Sequence, residues 1–201
     1  DLLDEVTALV EWPVALAGRF DDDFLRVPQE ALISAMEEHQ KYFSVLDADG
    51  KLMPRFITIS NIESRDPAKV AAGNEKVIRP RLADAAFFYD NDCKKSLRQH
   101  AEGLAKIVFQ QQLGTLQEKS DRIGNLAVTI AEKIGGDESA AHLAGQLCKA
   151  DLTSEMVSEF DTMQGVMGYY LAKNEGAPED FAQALFEQYL PRFAGDSLPR
   201  T

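Results

Sequence analysis

Three stretches bring together side chains able to do chemistry or to hold a polar partner. The first is His39-Gln40-Lys41-Tyr42-Phe43. A single histidine can serve as a general base or a ligand, but no second His or Cys stands near it in sequence, so the commoner reading is a structural histidine. Gln40 and Lys41 are the members of this group suited to a polar or anionic partner. The second stretch runs from Gly73 through Asn74, Glu75, Lys76, Arg79, Pro80, Arg81 and Asp84 to Phe87-Phe88-Tyr89. Read blandly it is a cap, an Arg81–Asp84 pair at i,i+3 spacing and an aromatic core anchor. Read functionally, Asn74, Lys76, Arg79 and Arg81 form a cationic, donor-rich helix entrance suited to phosphate. The third is Lys149-Ala150-Asp151-Leu152-Thr153, continuing through Gln164 and Gly165 to Tyr170. There a polar break between helices predicts a buried Lys149–Asp151 pair, with Gly165 and Gly168 allowing close helix packing.

None of these is a catalytic set. No Ser/His/Asp or Cys/His arrangement accompanies them, so nucleophilic catalysis has no support and no catalytic residue is assigned. Cys93 and Cys148 lie far apart with no CxxC or Cys/His cluster, which predicts two reduced thiols and no metal ligand. No Gly-rich loop follows a strand, so a nucleotide-phosphate cradle is not predicted either.

Charge narrows the partners. The net charge of −12 over 201 residues argues against a chain whose whole surface grips a phosphate backbone. The balance is uneven, however. Residues 66–106 hold the only stretch with basic residues in excess: Lys69, Lys76, Arg79, Arg81, Lys94, Lys95, Arg98 and Lys106. Any anionic partner is to be sought there first. No run approaches the roughly 18 apolar residues of a membrane span, and Asp1, Asp4 and Glu5 stand where a signal peptide would be basic. These features predict a cytoplasmic protein with no membrane partner. The missing initiator Met suggests a segment of something longer.

The elements that must position these residues follow from periodicity and punctuation. Residues 1–11 predict a helix stopped before Trp12-Pro13. Pro28 opens a second, buried along Leu32, Ile33 and Met36 and ending near Gln40. YFSVL, DADGK and MPRFITIS then predict a β-hairpin near 42–60 bent at Asp49-Gly50. Helical spacing or capping signals follow at 67–72, 79–91, 93–110, 118–134, 138–150, 153–159, 163–173 and 178–189, with Gly73-Asn74 ending one element and Pro80 opening the next. The predicted class is α+β, mostly α-helical. A small segment, residues 1–72, carries the hairpin, and residues 73–201 form a helical domain.

With these stretches quoted, the chain resembles the β subunit of bacterial heterotetrameric glycyl-tRNA synthetase. The resemblance is carried by LLDEVTALVEWPVALAGRF at 2–20 and VPQEALISAMEEHQKYFSVLDADGKLMPRFITISNI at 27–62. It continues in GNEKVIRPRLADAAFFYDND at 73–92 and KADLTSEMVSEFDTMQGVMGYY at 149–170. It implies an assembly of two α and two β subunits that joins glycine to its tRNA, with ATP and Mg used by the α subunit and no cofactor in this segment. On that footing the segment binds tRNA and supports assembly without being active alone. Lys41, Asn74, Lys76, Arg79, Arg81 and Lys149 are its candidate contacts to glycine tRNA, the α subunit or the second β subunit.

The resemblance also implies that residues 73–201 form a degenerate HD-like domain. The expected His-Asp pair is matched only by Ala150-Asp151, and His100 and His142 are the other histidines beyond His39. That is too few ligands for a divalent-metal centre. A degenerate metal-dependent phosphohydrolase and a purely structural spacer are the alternatives to the tRNA-binding reading.

Overall fold

The computed structural model describes all 201 residues, Asp1–Thr201. They fold as two compact units, residues 1–89 and 90–201. No helix is long and apolar enough to cross a membrane.

In the first unit, Asp1 caps helix α1 (Leu2–Leu9) by accepting the Asp4 N–H at 2.8 Å. Helix α1 ends before Trp12-Pro13, and strand β1 (Val14–Arg19) follows. Helix α2 (Gln29–Gln40) starts after Pro28, buries Ala31, Leu32, Ala35 and Met36, and stops at Lys41, whose φ of 58° is left-handed. Strands β2 (Phe43–Leu46) and β3 (Leu52–Ser60) form the predicted hairpin. At its bend the Gly50 N–H donates to the Asp47 carbonyl at 3.1 Å, and Gly50 takes a φ of 77°. The left-handed residue closes the loop, as hairpin bends of this kind require.

Strand β1 lies outside the elements that periodicity predicts. It pairs antiparallel with β3, giving the order β1-β3-β2. VALAGR lacks the β-branched density of a strand and gains its place by pairing. Pro54 lies in the central strand because the β2–β3 register is irregular there, jumping from Ser44↔Phe56 to Leu46↔Leu52. Phe56 is fully buried on the inner sheet face, and the Tyr42 ring stacks on it at 4.7 Å.

Helix α3 (Pro67–Asp92) corrects the expected break at Gly73–Pro80. It is one 26-residue helix with Pro80 inside it. Gly73 stays out of the left-handed region, and Asn74 folds its Nδ2 back onto the Val70 carbonyl at 2.9 Å rather than ending the turn. An interior proline costs about 3 kcal/mol through the missing hydrogen bond and the ring's clash with the preceding turn. Burial of Ile78, Leu82, Ala85 and Ala86 along one face offsets it.

The second unit takes in the last turn of α3 and is helical apart from one small hairpin. Asp92 is buried, and its carboxylate accepts the N–H groups of Glu155 and Met156, both at 2.9 Å, at the start of α7 (Glu155–Glu159). The helix expected over 93–110 is a second correction. Ser96 and Gln99 form a capping box that opens α4 (Leu97–Glu102). A 3-10 turn over Gly103–Lys106 follows, then β4 (Val108–Gln110), which pairs with β5 (Gly114–Thr115). Thr115 caps α5 (Leu116–Ile134), which is followed by α6 (Glu138–Leu147). A Cβ on Gly145 would lie 2.5 Å from the Gly124 Cα, so the two helices cross backbone against backbone. Helices α8 (Val166–Asn174) and α9 (Glu179–Glu187) complete the unit.

Candidate functional site

Helix α3 carries the exposed cations. At about 100° per residue, Lys69, Lys76 and Arg79 share one sector of its surface and Arg81 points nearly opposite Arg79. All four are exposed, and no side chain of the protein accepts a hydrogen bond or ion pair from any of them. The Arg81–Asp84 pair allowed by their spacing does not form. Small residues, Ala72, Gly73 and Ala83, lie between the cations. An added Cβ on Gly73 would meet nothing within 4 Å. Chemically this is a low, cationic ridge able to receive phosphate oxygens.

Asn74 and Lys41 are engaged internally. The Tyr42 hydroxyl donates to Asn74 Oδ1 at 2.6 Å, and burial pushes the phenol pKa up. Lys41 pairs with Glu5 at 2.9 Å, with both side chains partly in solvent. Such a pair contributes at most about 1 kcal/mol.

Lys149 belongs to a different setting in the second unit. Its Nζ sits 3.8 Å above the Tyr189 ring. Desolvation lowers its pKa. No ion pair joins it to Asp151, so the pair expected from sequence is replaced by a cation–π contact. Asp151 is 1% exposed; its Oδ2 accepts the Gly165 N–H at 2.6 Å, and its Oδ1 has no partner. Burial raises its pKa to about 6, against the opposing Gly165 hydrogen bond and the Lys149 charge. Burial likewise pushes the Cys148 thiol up to about 11.

His100 is also buried, with Nε2 donating to the Asp92 carbonyl at 3.1 Å and Nδ1 facing Thr153 Oγ1 at 3.4 Å. No group of three or more His, Cys, Asp or Glu side chains is placed to hold a metal ion. The residues present therefore do not fit the metal of an HD-type hydrolase. A groove of about 740 Å³ in the second unit is lined mainly by apolar residues such as Leu97, Ala140, Leu147 and Phe181, with Arg98, Asp137, Glu175 and Asp180 also on its wall.

The chain matches the family model of the glycyl-tRNA synthetase beta subunit over residues 1–201. It belongs to that family. Among relatives called glycine–tRNA ligase beta subunit, it is 62% identical over 201 residues to that of Chromohalobacter salexigens and 61% to that of Azotobacter vinelandii. It is 60% identical to that of Marinobacter nauticus. Each match covers 100% of this chain and 29% of the relative's length.

Two cations of this beta-subunit segment escape the sequence reading. The β1–β3 register places Arg19 directly opposite Arg55, both exposed. They lie within residues 1–65, where acidic residues outnumber basic ones. A blockwise charge count hides them. The signal that finds them is register, which needs β1 to be recognised as a strand.

Proposed function

We propose that this chain is a tRNA-contacting and assembly segment of a glycine–tRNA ligase. It supplies position and positive potential to ATP-dependent chemistry carried out elsewhere in the enzyme. Family membership motivates the substrate, and the carrying observation is the unpaired Lys76–Arg79 ridge on α3 in a chain of net charge −12. Lys76 and Arg79 meet tRNA phosphates, with Arg81 on the far side of the helix contacting tRNA or another subunit. Lys41, Asn74 and Lys149 are not direct contacts in this reading, since each is already engaged by another group of the protein. The complete enzyme pairs two α with two β subunits in the cytoplasm, with ATP and Mg bound by the α subunit. Residues 73–201, whose first part lies with residues 1–72 in the first compact unit, supply an HD-like framework that does without the metal.

The test is equilibrium binding of glycine tRNA to the complete polypeptide carrying this chain, across a salt series. Lys76→Ala/Arg79→Ala is expected to weaken binding and to lower the log K against log salt slope by about 1 for each phosphate no longer neutralised. Unchanged affinity and slope in that variant would remove the ridge from the interface.

A further inference from the structure

We propose that Arg19 and Arg55 carry the cationic surface of α3 around the edge of β1 onto the outer face of the sheet. A single RNA phosphate backbone then engages both elements. This rests on the tRNA-binding reading above and adds a second contact region to it.

The pairing itself is the first observation. Arg19 and Arg55 are cross-strand partners, and Phe20 N–H donates to the Pro54 carbonyl at 3.2 Å, one step along the ladder. Alternation makes 19↔55 a non-hydrogen-bonded pair, the type in which side chains come closest, with Cα atoms about 4.5 Å apart. Like charges directly opposite one another destabilise a sheet. Neither guanidinium has an acidic partner. Two opposed, unpaired guanidiniums can bracket one phosphate with bidentate hydrogen bonds.

The second observation ties this pair to α3. The Arg19 N–H points away from β3 and donates to Glu75 Oε1 at 3.0 Å. Glu75 adjoins Lys76 and lies one helical turn before Arg79. Asn74 and Tyr42 place this part of α3 against the inner sheet face, where Tyr42 stacks on Phe56. Arg19, Arg55, Ala15 and Ala17 belong to the opposite face, because side chains alternate along a strand. The Glu75 carboxylate therefore sits at the β1 edge and ties the helix turn that carries Lys76 and Arg79 to the strand position of Arg19. Arg19, Arg55, Lys76 and Arg79 form no ion pair with Glu75, whose Oε1 is used by the Arg19 backbone, or with any other acid.

The third observation is local shape. Ala15 and Ala17 are small and exposed on the β1 side of this face, opposite half-buried Ile59 and Ile57 on β3. On its β2 side the irregular register leaves Arg55 without a regular partner, while its β1 side keeps the Arg19 pairing. Such a surface suits an extended, evenly charged strand. An acidic protein segment is the competing partner.

Glycine tRNA binding to the complete polypeptide decides the matter, comparing wild type with Arg19→Ala/Arg55→Ala, Lys76→Ala/Arg79→Ala and all four together. Removing the opposed like charges should leave the fold intact, which thermal unfolding followed by circular dichroism checks. The arginine-pair variant is expected to lose about tenfold or more in affinity and to reduce the salt slope by roughly 1 to 2. Arg19→Lys/Arg55→Lys keeps charge without the bidentate fork and should fall between. Wild-type affinity and slope in the arginine-pair variant, with weaker binding in the α3 variant, would overturn this inference and leave the proposed function standing. Salt-insensitive or absent binding by wild type would overturn both. Displacement of tRNA by polyuridylate supports the assignment to RNA, whereas displacement by polyglutamate alone would overturn it.

Discussion

The carboxylate of Asp151 accepts a 2.6 Å hydrogen bond from the backbone N–H of Gly165, at the start of α8, while its other oxygen has no partner. The charge is thus buried to satisfy one orphan donor of a helix N-terminus.

That arrangement fixes a pH dependence. Burial raises the folded pKa to about 6 from an ordinary value of 3.8. Between roughly pH 4 and 6 the folded state holds the proton more tightly than the unfolded chain, so stability falls as pH rises through that window. The difference corresponds to on the order of 3 kcal/mol. Cys148 and Tyr189 are both pushed upward by burial, away from this window. Asp151→Asn keeps an acceptor for Gly165 and should flatten the decline in stability between about pH 4.5 and pH 7.5. Asp151→Ala leaves the Gly165 N–H unpaired and should cost about 1–3 kcal/mol. Urea unfolding midpoints at the two pH values check both, and an unchanged slope in the Asn variant would exclude Asp151 as its source.

Tyr42 and Asn74 supply a second test, this time of what a polar residue on α3 is for. The hydroxyl bond to Asn74 Oδ1 is 2.6 Å and partly buried. Tyr42→Phe should cost about 0.5–1.5 kcal/mol while keeping the ring on Phe56. Asn74→Ala should cost more, because it strands the phenol and removes the bond to the Val70 carbonyl. A double-mutant cycle should give coupling of about 1 kcal/mol between the two. The RNA affinity of the folded Asn74→Ala protein is expected to match wild type. Selective weakening of RNA binding at full stability would instead make Asn74 a direct contact.

How much of this is legible in the sequence depends on which signals are local. The β2–β3 hairpin is readable because β-branched runs flank an Asp-Gly bend, and α2 because its apolar spacing follows Pro28. Strand β1 is not, since VALAGR becomes a strand only through its distant partner β3. Asn74 and Pro80 read as boundary residues, but tertiary burial of Ile78, Leu82 and Ala85 overrides them. The α3 cations stand out in a positive block, whereas Arg19 and Arg55 become neighbours only through strand register. Lys149 and Asp151 mark a helix junction in the sequence as they do in the fold, yet an aromatic ring rather than the carboxylate receives the ammonium.

Two glycines in helices should respond to alanine with opposite signs. At Gly145 an added Cβ would lie 2.5 Å from the Cα and 2.7 Å from the N of Gly124. Both atoms are backbone, so relief requires moving α5 and α6 apart, and the expected destabilisation is about 1–3 kcal/mol or more. At Gly73 an added Cβ meets nothing within 4 Å, and the residue lies in the interior of α3. There alanine reduces the backbone entropy lost on folding and should stabilise by about 0.5–1 kcal/mol. Thermal unfolding of the two single variants reads both signs. Because Gly73 lies in the same exposed sector as Lys76, the stabilised variant also measures how closely the RNA backbone approaches the helix. Tight approach would make the added methyl lower affinity despite the gain in stability, whereas contact through the long cationic side chains alone would leave affinity unchanged.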